Sequence, residues 1–305
     1  MSTGQEPRTR QAAWQWGEAR LRTRGTPPEE ARLEAEVLLR HAAGLSREEL
    51  LIRPHAPLTA FAAAVYAGLI AQRVSGRPTA YLVGHREFFG LDLLVDERVL
   101  IPRPETERLV EVVRDCLRAH PGPLIVDVGT GSGAVAIALA RALPRSRLLA
   151  TDCSTGALEV ARANAVRCGV DARVTWGQGD GLAPLAGRGL EGTVDAVVSN
   201  PPYIPTAEMP CLPEDVRDHE PPEALDGGPD GLAVHRAILR GAPRYLRSGA
   251  ALAVEVAATG DQARAVAALI AAEGAYAPPV VVRDFAGAER VVLATRRGRD
   301  ADSRC

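Results

Sequence analysis

Residues 194–203 read Val-Asp-Ala-Val-Val-Ser-Asn-Pro-Pro-Tyr, and the chain changes character in the middle of this stretch. The first six residues are mostly apolar and β-branched, which is typical of a buried strand. The two prolines lack N–H donors and have fixed φ angles, so the strand cannot continue beyond Ser199. Open α/β sheets bind their ligands at the carboxyl ends of strands. This stretch therefore predicts an α/β fold with a binding site directly after the strand.

The four residues Asn200, Pro201, Pro202 and Tyr203 have a specific chemistry in common. An amide oxygen and a rigid backbone carbonyl could accept both hydrogens of a planar NH2 group, while the aromatic ring packs on its flat face. The competing interpretation is an ordinary strand-terminating turn, because Asn and Pro are common turn residues. We take these four as candidate catalytic and substrate-binding residues.

Strand and helix patterns alternate beyond Pro123. Strands are predicted at 124–128, 147–151, 173–176, 194–199 and 251–256, helices at 134–143, 157–168 and 262–273, and an antiparallel pair of strands at 280–282 and 290–294. This alternation predicts a doubly wound, largely parallel sheet that ends in an antiparallel hairpin.

The part of the chain before the sheet has helical periodicity over residues 12–76. Leu33 and Leu38 are predicted on one apolar helix face, and Phe61 and Leu69 on another. A β-hairpin that turns at Gly90 follows. The pattern is typical of a small helical domain joined to the α/β domain by a hairpin.

Four parts of the chain are predicted from these patterns. They are a helical domain at 1–86 whose first ten residues are disordered, a hairpin linker at 87–104, an α/β domain at 105–295, and a disordered polar tail at 296–305. Thr106 is predicted to be the N-cap of the first helix of the α/β domain.

The composition excludes several classes of protein. The net charge is −2, so no basic excess points to stable binding of nucleic acid or an anionic membrane. The five cysteines form no CxxC pair and no His stands at metal-ligand spacing, so neither a disulfide framework nor a metal site is expected. We see no signal peptide and no apolar run long enough to span a membrane, and we expect a cytoplasmic protein.

A glycine-rich turn follows the first strand of the sheet, where residues 127–133 read Asp-Val-Gly-Thr-Gly-Ser-Gly. Glycines there allow a tight turn and a close approach of a ligand to the backbone. The candidate cofactor contacts in this turn are Asp127, Gly129, Thr130, Gly131, Ser132 and Gly133. The same pattern also fits a dinucleotide-binding protein, so the turn alone does not choose the cofactor.

Asp152 ends the second strand, 21 residues after Gly131. A carboxylate at that place can accept hydrogen bonds from both ribose hydroxyls of a nucleoside. The competing interpretation is an N-cap of the next helix, since aspartate favours caps.

Two acids favour S-adenosylmethionine (AdoMet) over a nicotinamide cofactor. Asp180, which Gly181 follows, lies after the third strand and can accept from an adenine amino group; a solvated loop acid is the competing interpretation. Asp127 suits a cationic sulfonium and its amino group, and is an awkward neighbour for a pyrophosphate.

Together these motifs resemble class I AdoMet-dependent methyltransferases that act on a planar nitrogen. The resemblance extends to one family, the protein-(glutamine-N5) methyltransferases of peptide chain release factors (HemK or PrmC), over about residues 12–295. The motifs that carry it lie at 77–84 with 87–90, at 100–107, at 220–228 with 230–232, and at 283–287 with 289–292.

The resemblance implies a Rossmann-like methyltransferase domain, AdoMet as cofactor, and class 1 release factors as protein substrates. The acceptor would be the glutamine of their Gly-Gly-Gln motif, bound by Asn200 to Tyr203, with Asn200 also beside the cofactor. Arg103 and Glu105 would close over cofactor or substrate; a surface ion pair between them is the alternative. The helical domain would dock the substrate protein.

Two other substrates remain open at this point. Adenine-N6 methylation of nucleic acid shares the logic of Asn200 to Tyr203, and a ribosomal protein of the large subunit could supply the glutamine. The family's short turn after the fifth strand is longer here, so the resemblance carries no role over to Glu255 or Gln262.

Overall fold

The computed structural model describes residues 9–258 and 260–298. Of the residues predicted to be disordered, 1–8 and 299–305 lie outside this part of the chain. The prediction was wrong at Thr9 and Arg10, because a helix begins at Arg10 and the Thr9 side chain caps it. Arg296, at the start of the predicted tail, donates its backbone N–H to the Ala250 carbonyl at 2.8 Å.

The α-helices are, in chain order, α1 (Arg10–Thr23), α2 (Pro28–Ala43), α3 (Arg47–Ile52), α4 (Ala60–Val74), α5 (Thr79–Val83), α6 (Glu107–Leu117), α7 (Ala134–Ala142), α8 (Thr155–Arg167), α9 (Glu214–Arg217), α10 (Ala233–Tyr245) and α11 (Gln262–Ala272). The strands are β1 (His85–Phe88), β2 (Leu91–Leu94), β3 (Leu124–Val128), β4 (Arg147–Asp152), β5 (Val174–Gln178), β6 (Val194–Ser199), β7 (Leu246–Glu255), β8 (Val280–Arg283) and β9 (Glu289–Thr295).

The chain forms two compact units, and the first of them is discontinuous. The first unit contains α1–α5 and the short segment Pro213–His219. The second contains Arg86–Leu212 and the chain from Glu220 onward. A division of the sequence into consecutive domains does not capture the place of residues 213–219.

The first unit is a helical bundle built on small residues. Leu38 is fully buried, but Leu33 is 55% exposed and Phe61 is 78% exposed, so the predicted apolar faces were wrong at those two positions. Alanines such as Ala31 and Ala35 are fully buried instead. Small side chains let the backbones of neighbouring helices approach closely, and a search for large apolar residues overlooks such a face.

Tyr66 on α4 is the largest fully buried side chain of this bundle. Its hydroxyl donates to the Ala35 carbonyl on α2 at 3.2 Å, and burial raises its pKa far above the ordinary value. The ring fits against α1 only because residue 17 is glycine. A Cβ at Gly17 would lie 1.8 Å from the Tyr66 hydroxyl oxygen.

We expect Gly17→Ala to lower the free energy of unfolding by about 1–3 kcal/mol, because the added methyl forces Tyr66 out of its position. Gly68→Ala on α4 is the matched control, since a Cβ there meets no heavy atom within 4 Å. The control should stabilise the protein by up to about 1 kcal/mol through helix propensity. Urea unfolding measures both changes, and equal effects of the two variants would contradict the packing argument.

Residues 213–219 join the first unit through charged side chains. Arg73 is buried and pairs with Glu34 at 2.8 Å and with Asp215 at 3.2 Å. Arg24 pairs with Glu214 at 2.9 Å. Two ion pairs therefore join this segment to the bundle, and the arginine of one of them is buried.

The second unit is built around a seven-stranded sheet in the order β5-β4-β3-β6-β7-β9-β8. Strands β3 to β7 pair in parallel, and β9 pairs antiparallel with both β7 and β8. The predicted α/β fold with a largely parallel sheet and a terminal antiparallel hairpin is confirmed. The predicted hairpin with a turn at Gly90 is confirmed as the two-stranded sheet β1-β2.

The order of the strands places the site. From β3 the chain continues outward through β4 and β5, and then returns to add β6 on the other side of β3. Ligands of doubly wound sheets bind at such a switch point, beyond the carboxyl ends of the strands. Ser199 donates its hydroxyl to the Val128 carbonyl at 2.7 Å, and thereby fixes the end of β6 beside the end of β3.

Within residues 9–258 and 260–298, no helix has both the length and the apolar composition needed to cross a membrane. The same residues contain no group of three or more His, Cys, Asp or Glu side chains that could hold a metal ion.

Candidate active site

A pocket opens at this switch point, entirely within the second unit. It contains about 1160 Å³ of empty space, a figure that includes the open mouth of the pocket. The predicted residues that line it are Arg103, Asp127, Gly129, Thr130, Gly131, Ser132, Asp152, Asp180, Gly181, Asn200, Pro201 and Pro202. Gly133, Tyr203 and Glu105 are not among the lining residues.

The glycine turn between β3 and α7 forms one wall of the pocket. Gly129 and Gly131 have φ angles of +71° and +56°, which L side chains rarely adopt. A Cβ at either position would meet no heavy atom of the protein within 4 Å, so the turn leaves room for a ligand. Gly133 has a different role: a Cβ there would lie 2.9 Å from Ile137 and 3.2 Å from Ala161, so it allows close packing of α7.

Asp127 stabilises the glycine turn and the start of α7 through hydrogen bonds. Its Oδ2 accepts from the Thr130 hydroxyl at 2.7 Å and from the Ala136 N–H at 3.2 Å. The side chain is 1% exposed, and this burial raises the pKa of the carboxyl group to about 7. A bound cation in the pocket would favour the ionised form.

This burial predicts a dependence of stability on pH. Below pH 3.8, the ordinary pKa, the carboxyl group is protonated in both folded and unfolded chains. Between pH 3.8 and about 7 only the unfolded chain ionises, so the free energy of unfolding falls as the pH rises. Above that range the full penalty remains, on the order of 4 kcal/mol.

We therefore expect Asp127→Asn to be more stable than the wild type at pH 8 without cofactor, while the two proteins differ little near pH 4. Other buried acids contribute equally to both proteins and cancel in the comparison. Urea unfolding at several pH values measures the difference. A difference that does not change with pH would show that Asp127 ionises freely in the folded protein.

Asp152 lies at the end of β4 with both carboxylate oxygens directed to backbone donors. Oδ2 accepts from Gly131 N–H at 2.8 Å, and Oδ1 accepts from Ser154 N–H at 2.9 Å. The interpretation of Asp152 as the N-cap of α8 is wrong, because Ser154 caps that helix by accepting from Ala157 N–H. A carboxylate has about four acceptor sites, so each oxygen retains capacity for a ligand hydroxyl.

Two other predicted cofactor contacts, Asp180 and Gly181, line the pocket from the loop after β5. Asp180 is exposed and lines the pocket, and Gly181, with a φ of +51°, follows it. Thr151 donates its hydroxyl to the Gly181 carbonyl at 3.1 Å, so the loop after β5 is tied to β4.

Asn200 is oriented by a residue far away in the sequence. Its Nδ2 donates to the hydroxyl oxygen of Thr106 at 3.2 Å. Because the nitrogen of the carboxamide points to Thr106, the oxygen Oδ1 points away from it. Thr106 stands at the predicted N-cap position of α6, but its side chain makes no capping bond to that helix.

Hydrogen bonds from other segments fix the backbone at the end of the Asn200–Tyr203 motif. Gln262 donates its Nε2 to the Tyr203 carbonyl at 2.9 Å, and its Oε1 accepts from Ala257 N–H at 2.7 Å. Ile204 bonds to the segment around Asp226, with which it forms a parallel bridge. At Gly231 a Cβ would lie 2.4 Å from the Tyr203 carbonyl oxygen, so only glycine fits there.

Tyr203 itself is half-buried, and burial raises its pKa to about 12. The nearby charge of Glu255 acts in the same direction. The phenol therefore stays protonated at neutral pH.

The loop before α6 is fixed by a buried acid. Glu220 forms an ion pair with Arg103, and its Oε2 accepts from Ile101 N–H at 3.1 Å. The Glu220 side chain is 1% exposed, whereas Arg103 is 33% exposed and lines the pocket. The predicted alternative, a surface pair of Arg103 with Glu105, is wrong because Glu220 is the partner. Glu105 is exposed.

Sequence reasoning missed several residues that build this site. Thr106 contacts Asn200 across 94 positions, Gln262 reaches Tyr203 across 59, and Glu220 reaches Arg103 across 117. Thr106 and Glu220 lie in motifs that carry the family resemblance. No local pattern marks Gln262, whose role depends on the path of the chain after β7.

The pocket fits AdoMet. The glycine turn leaves open space for a ligand, Asp152 can accept from ribose hydroxyls, and the Asp127 carboxyl group can balance the positive charge of the sulfonium and ammonium. The residues that carry these three features line the same pocket as Asn200.

Comparison with known proteins agrees with this geometry. Residues 12–84 match the family described as the PrmC N-terminal domain, and residues 106–210 match the methyltransferase small domain. A release factor glutamine methyltransferase of Moorella thermoacetica is 50% identical over 92% of this chain and 97% of its own length. One of Geobacter sulfurreducens is 41% identical over 91% and 93%.

Solved structures support the fold alone. A methyltransferase from Pyrococcus furiosus matches with a TM-score of 0.50 at 19% identity, over 76% of this chain and 100% of its own. The hMettl16 catalytic domain, in complex with the MAT2A 3′UTR hairpin 6, matches with a TM-score of 0.54 at 17% identity, over 76% and 83%. The fold is that of an AdoMet-dependent methyltransferase, and by its sequence this chain belongs to the release factor glutamine methyltransferase family.

Proposed function

We propose that this protein transfers the methyl group of AdoMet to the side-chain amide nitrogen N5 of a glutamine. The acceptor is the glutamine in the Gly-Gly-Gln motif of class 1 peptide chain release factors, so the reaction modulates translation termination in the cytoplasm. The observation that carries this proposal is the carboxamide of Asn200, held by Thr106 at the switch point of the sheet beside the glycine turn.

The chemistry of an amide explains why such a site is needed. The lone pair of an amide nitrogen is delocalised, so the nitrogen is a poor nucleophile, and its N–H is too weak an acid for a side chain to deprotonate first. AdoMet supplies an electrophilic methyl group on a positively charged sulfur. The nitrogen–carbon bond forms as the carbon–sulfur bond breaks, and one amide proton then leaves to water.

The motif orients the acceptor. Asn200 Oδ1 and the Pro201 carbonyl accept the two amide hydrogens, which holds the nitrogen in line with the methyl–sulfur bond. Pro202 stiffens the platform, and Tyr203 packs against the amide plane. Orientation of this kind can lower a barrier by about 7–11 kcal/mol. No general base is required, and Tyr203, with a pKa of about 12, does not supply one.

The remaining candidate residues hold the cofactor. Asp152 accepts from the ribose hydroxyls, Asp180 from the adenine amino group, and Asp127 offsets the charge of the methionine end. Arg103, fixed by Glu220, covers the pocket from the loop before α6. Gly133 supports the turn through helix packing, and Glu105 is exposed in the loop that carries Arg103.

The helical unit docks the release factor. It presents large exposed apolar side chains, among them Leu51, Ile52 and Phe61. Exposed apolar groups of this size are typical of protein interaction surfaces when they lie together.

The first experiment is transfer of labelled methyl from AdoMet to purified release factor. Wild-type factor and a factor whose Gly-Gly-Gln glutamine is changed to alanine are compared side by side. Unmethylated DNA and purified large-subunit ribosomal proteins serve as competing acceptors. We expect label on the wild-type factor alone, located at the glutamine by mass spectrometry of the peptide.

Other outcomes reassign the substrate. Label on DNA would move the reaction to adenine nitrogen, which the net charge of −2 disfavours because phosphate binding needs basic side chains. Label on a ribosomal protein would keep the chemistry and change the partner. Label on none of them would overturn the proposal.

A further inference from the structure

Glu255 is a buried acid that the mechanism above does not use. It ends β7, and because Ser199 pairs with Val254 in the sheet, Glu255 and Asn200 follow on adjacent strands. Its side chain is 1% exposed, and within the described part of the chain its Oε2 has no hydrogen-bond partner. A buried acid without full hydrogen bonding is costly, so its presence beside Asn200 calls for an explanation.

Thr106 connects Glu255 to Asn200. Thr106 Oγ1 accepts from Asn200 Nδ2 at 3.2 Å, and the same side chain interacts with the buried carboxyl group of Glu255, where it opposes the rise in pKa that burial causes. A hydroxyl group has one hydrogen and two acceptor sites. Since the Thr106 oxygen accepts from Asn200, the hydroxyl hydrogen of Thr106 is available for the carboxylate of Glu255. Hydrogen bonds are then donated in one direction, from Asn200 to Thr106 and from Thr106 to Glu255.

We propose that Thr106 and Glu255 are positioning residues that hold the Asn200 carboxamide with its oxygen free for the substrate. A carboxamide turned by 180° would present its NH2 group to the NH2 group of the acceptor, and two donors repel. Ionised Glu255 attracts the hydroxyl hydrogen of Thr106 away from Asn200. The Thr106 oxygen can then only accept a hydrogen bond from Asn200, and the group that donates it is Nδ2. The inference rests on the proposed function, because it concerns the oxygen that binds the acceptor amide.

Several charged groups surround Glu255. Arg290 on β9 and Arg103 favour its ionised form, whereas Glu105 disfavours it. From α10, the ring of His235 donates Nε2–H to the Glu255 backbone carbonyl at 2.9 Å. Burial lowers the pKa of His235, so that ring stays neutral near pH 7.

Protonation of Glu255 would reverse the direction in which these hydrogen bonds are donated. Desolvation raises the pKa of its carboxyl group to about 7, although Thr106 and Arg290 oppose the shift. A protonated acid donates to Thr106, whose own hydrogen then competes for the oxygen of Asn200. The turnover rate should therefore rise with pH through a midpoint near 7.

The first test observes Asn200 directly and needs no substrate. The chain has two asparagines, Asn164 and Asn200, so selective ¹⁵N-asparagine labelling gives two side-chain amide signals in an NMR spectrum. Asn164 donates to the carbonyls of Leu94 and Ser132 and serves as an internal reference. We expect the Asn200 signal to shift near pH 7 in the wild type and to lose this shift in Glu255→Gln and Thr106→Val.

The second test measures the consequence for catalysis, at saturating AdoMet and release factor. We expect Thr106→Val to lower kcat by about 10–100-fold with the KM for AdoMet little changed, since misorientation acts on the reacting step. Thr106→Ser keeps the hydroxyl and should restore most of the lost rate. Glu255→Gln cannot ionise, so its kcat should be flat between pH 6 and 8.

Each outcome decides the inference. A pH shift of Asn200 that persists in Glu255→Gln, or a wild-type kcat in Thr106→Val, would overturn it. A loss of rate in Thr106→Val that Thr106→Ser does not restore would mean a structural role only, and would also overturn it. If wild-type protein fails to methylate release factor, the proposed function falls, and the asparagine signals still decide whether Thr106 and Glu255 orient Asn200.

Discussion

Asn200→Ala should lower kcat for glutamine methylation by about 10²–10³-fold. Removing one preorganised hydrogen-bond partner of a reacting group typically costs a rate of this size. The substitution deletes the acceptor of one amide hydrogen and leaves the glycine turn and Asp152 intact. The dissociation constant of AdoMet should therefore change by less than about threefold, a factor worth under 1 kcal/mol. Single-turnover methyl transfer and calorimetric titration with AdoMet measure the two quantities.

The same variant needs a check on folding. It loses the bond from Asn200 to Thr106, which is worth about 1 kcal/mol, so the free energy of unfolding should fall only slightly. A variant that is stable, binds AdoMet and still transfers methyl within tenfold of the wild-type rate would remove Asn200 from the proposed mechanism.

Gly231→Ala should have the second-largest effect, although residue 231 touches no reacting atom. The new Cβ would lie 2.4 Å from the Tyr203 carbonyl oxygen and 3.1 Å from Gln262 Nε2. Backbone contacts cannot yield cheaply, so the chain after Pro202 must move. We expect kcat to fall by about 10²-fold and the free energy of unfolding by about 2–4 kcal/mol.

A matched control separates this clash from backbone strain. Gly189 has a φ of +67°, close to the +71° of Gly231, but a Cβ there meets no heavy atom within 4 Å. Gly189→Ala should cost about 1–2 kcal/mol of stability from its φ alone and leave kcat unchanged. If both variants lose activity equally, the contact with Tyr203 is not what positions the motif.

The local signals of the sequence predicted the elements that build the sheet. Strands β3 and β6 have the predicted bounds, because apolar β-branched runs end abruptly at the glycine turn and at Pro201. Helix α10 was missed, although Ile238, Leu239 and Ala242 are buried at helical spacing. Gly241 and Pro243 lie inside that helix and obscured the pattern.

The sequence predicted the site residues that directly follow a recognisable strand. The glycine turn, Asp152 and Asn200 each follow a strand, so a parallel sheet necessarily brings them to one edge. Thr106, Glu255 and Gln262 were not predictable as site residues. Their roles depend on contacts between segments distant in the sequence, and no period or spacing encodes such a contact.

The discontinuous helical unit has a consequence for how such enzymes can be recombined. Residues 213–219 supply Asp215 to the buried Arg73 and Glu214 to Arg24, yet they are encoded far downstream of the bundle. An exchange of the amino-terminal 85 residues between two relatives would transplant the arginines without these carboxylates. Chimaeras should therefore inherit a functional amino-terminal unit only when the short downstream segment travels with it.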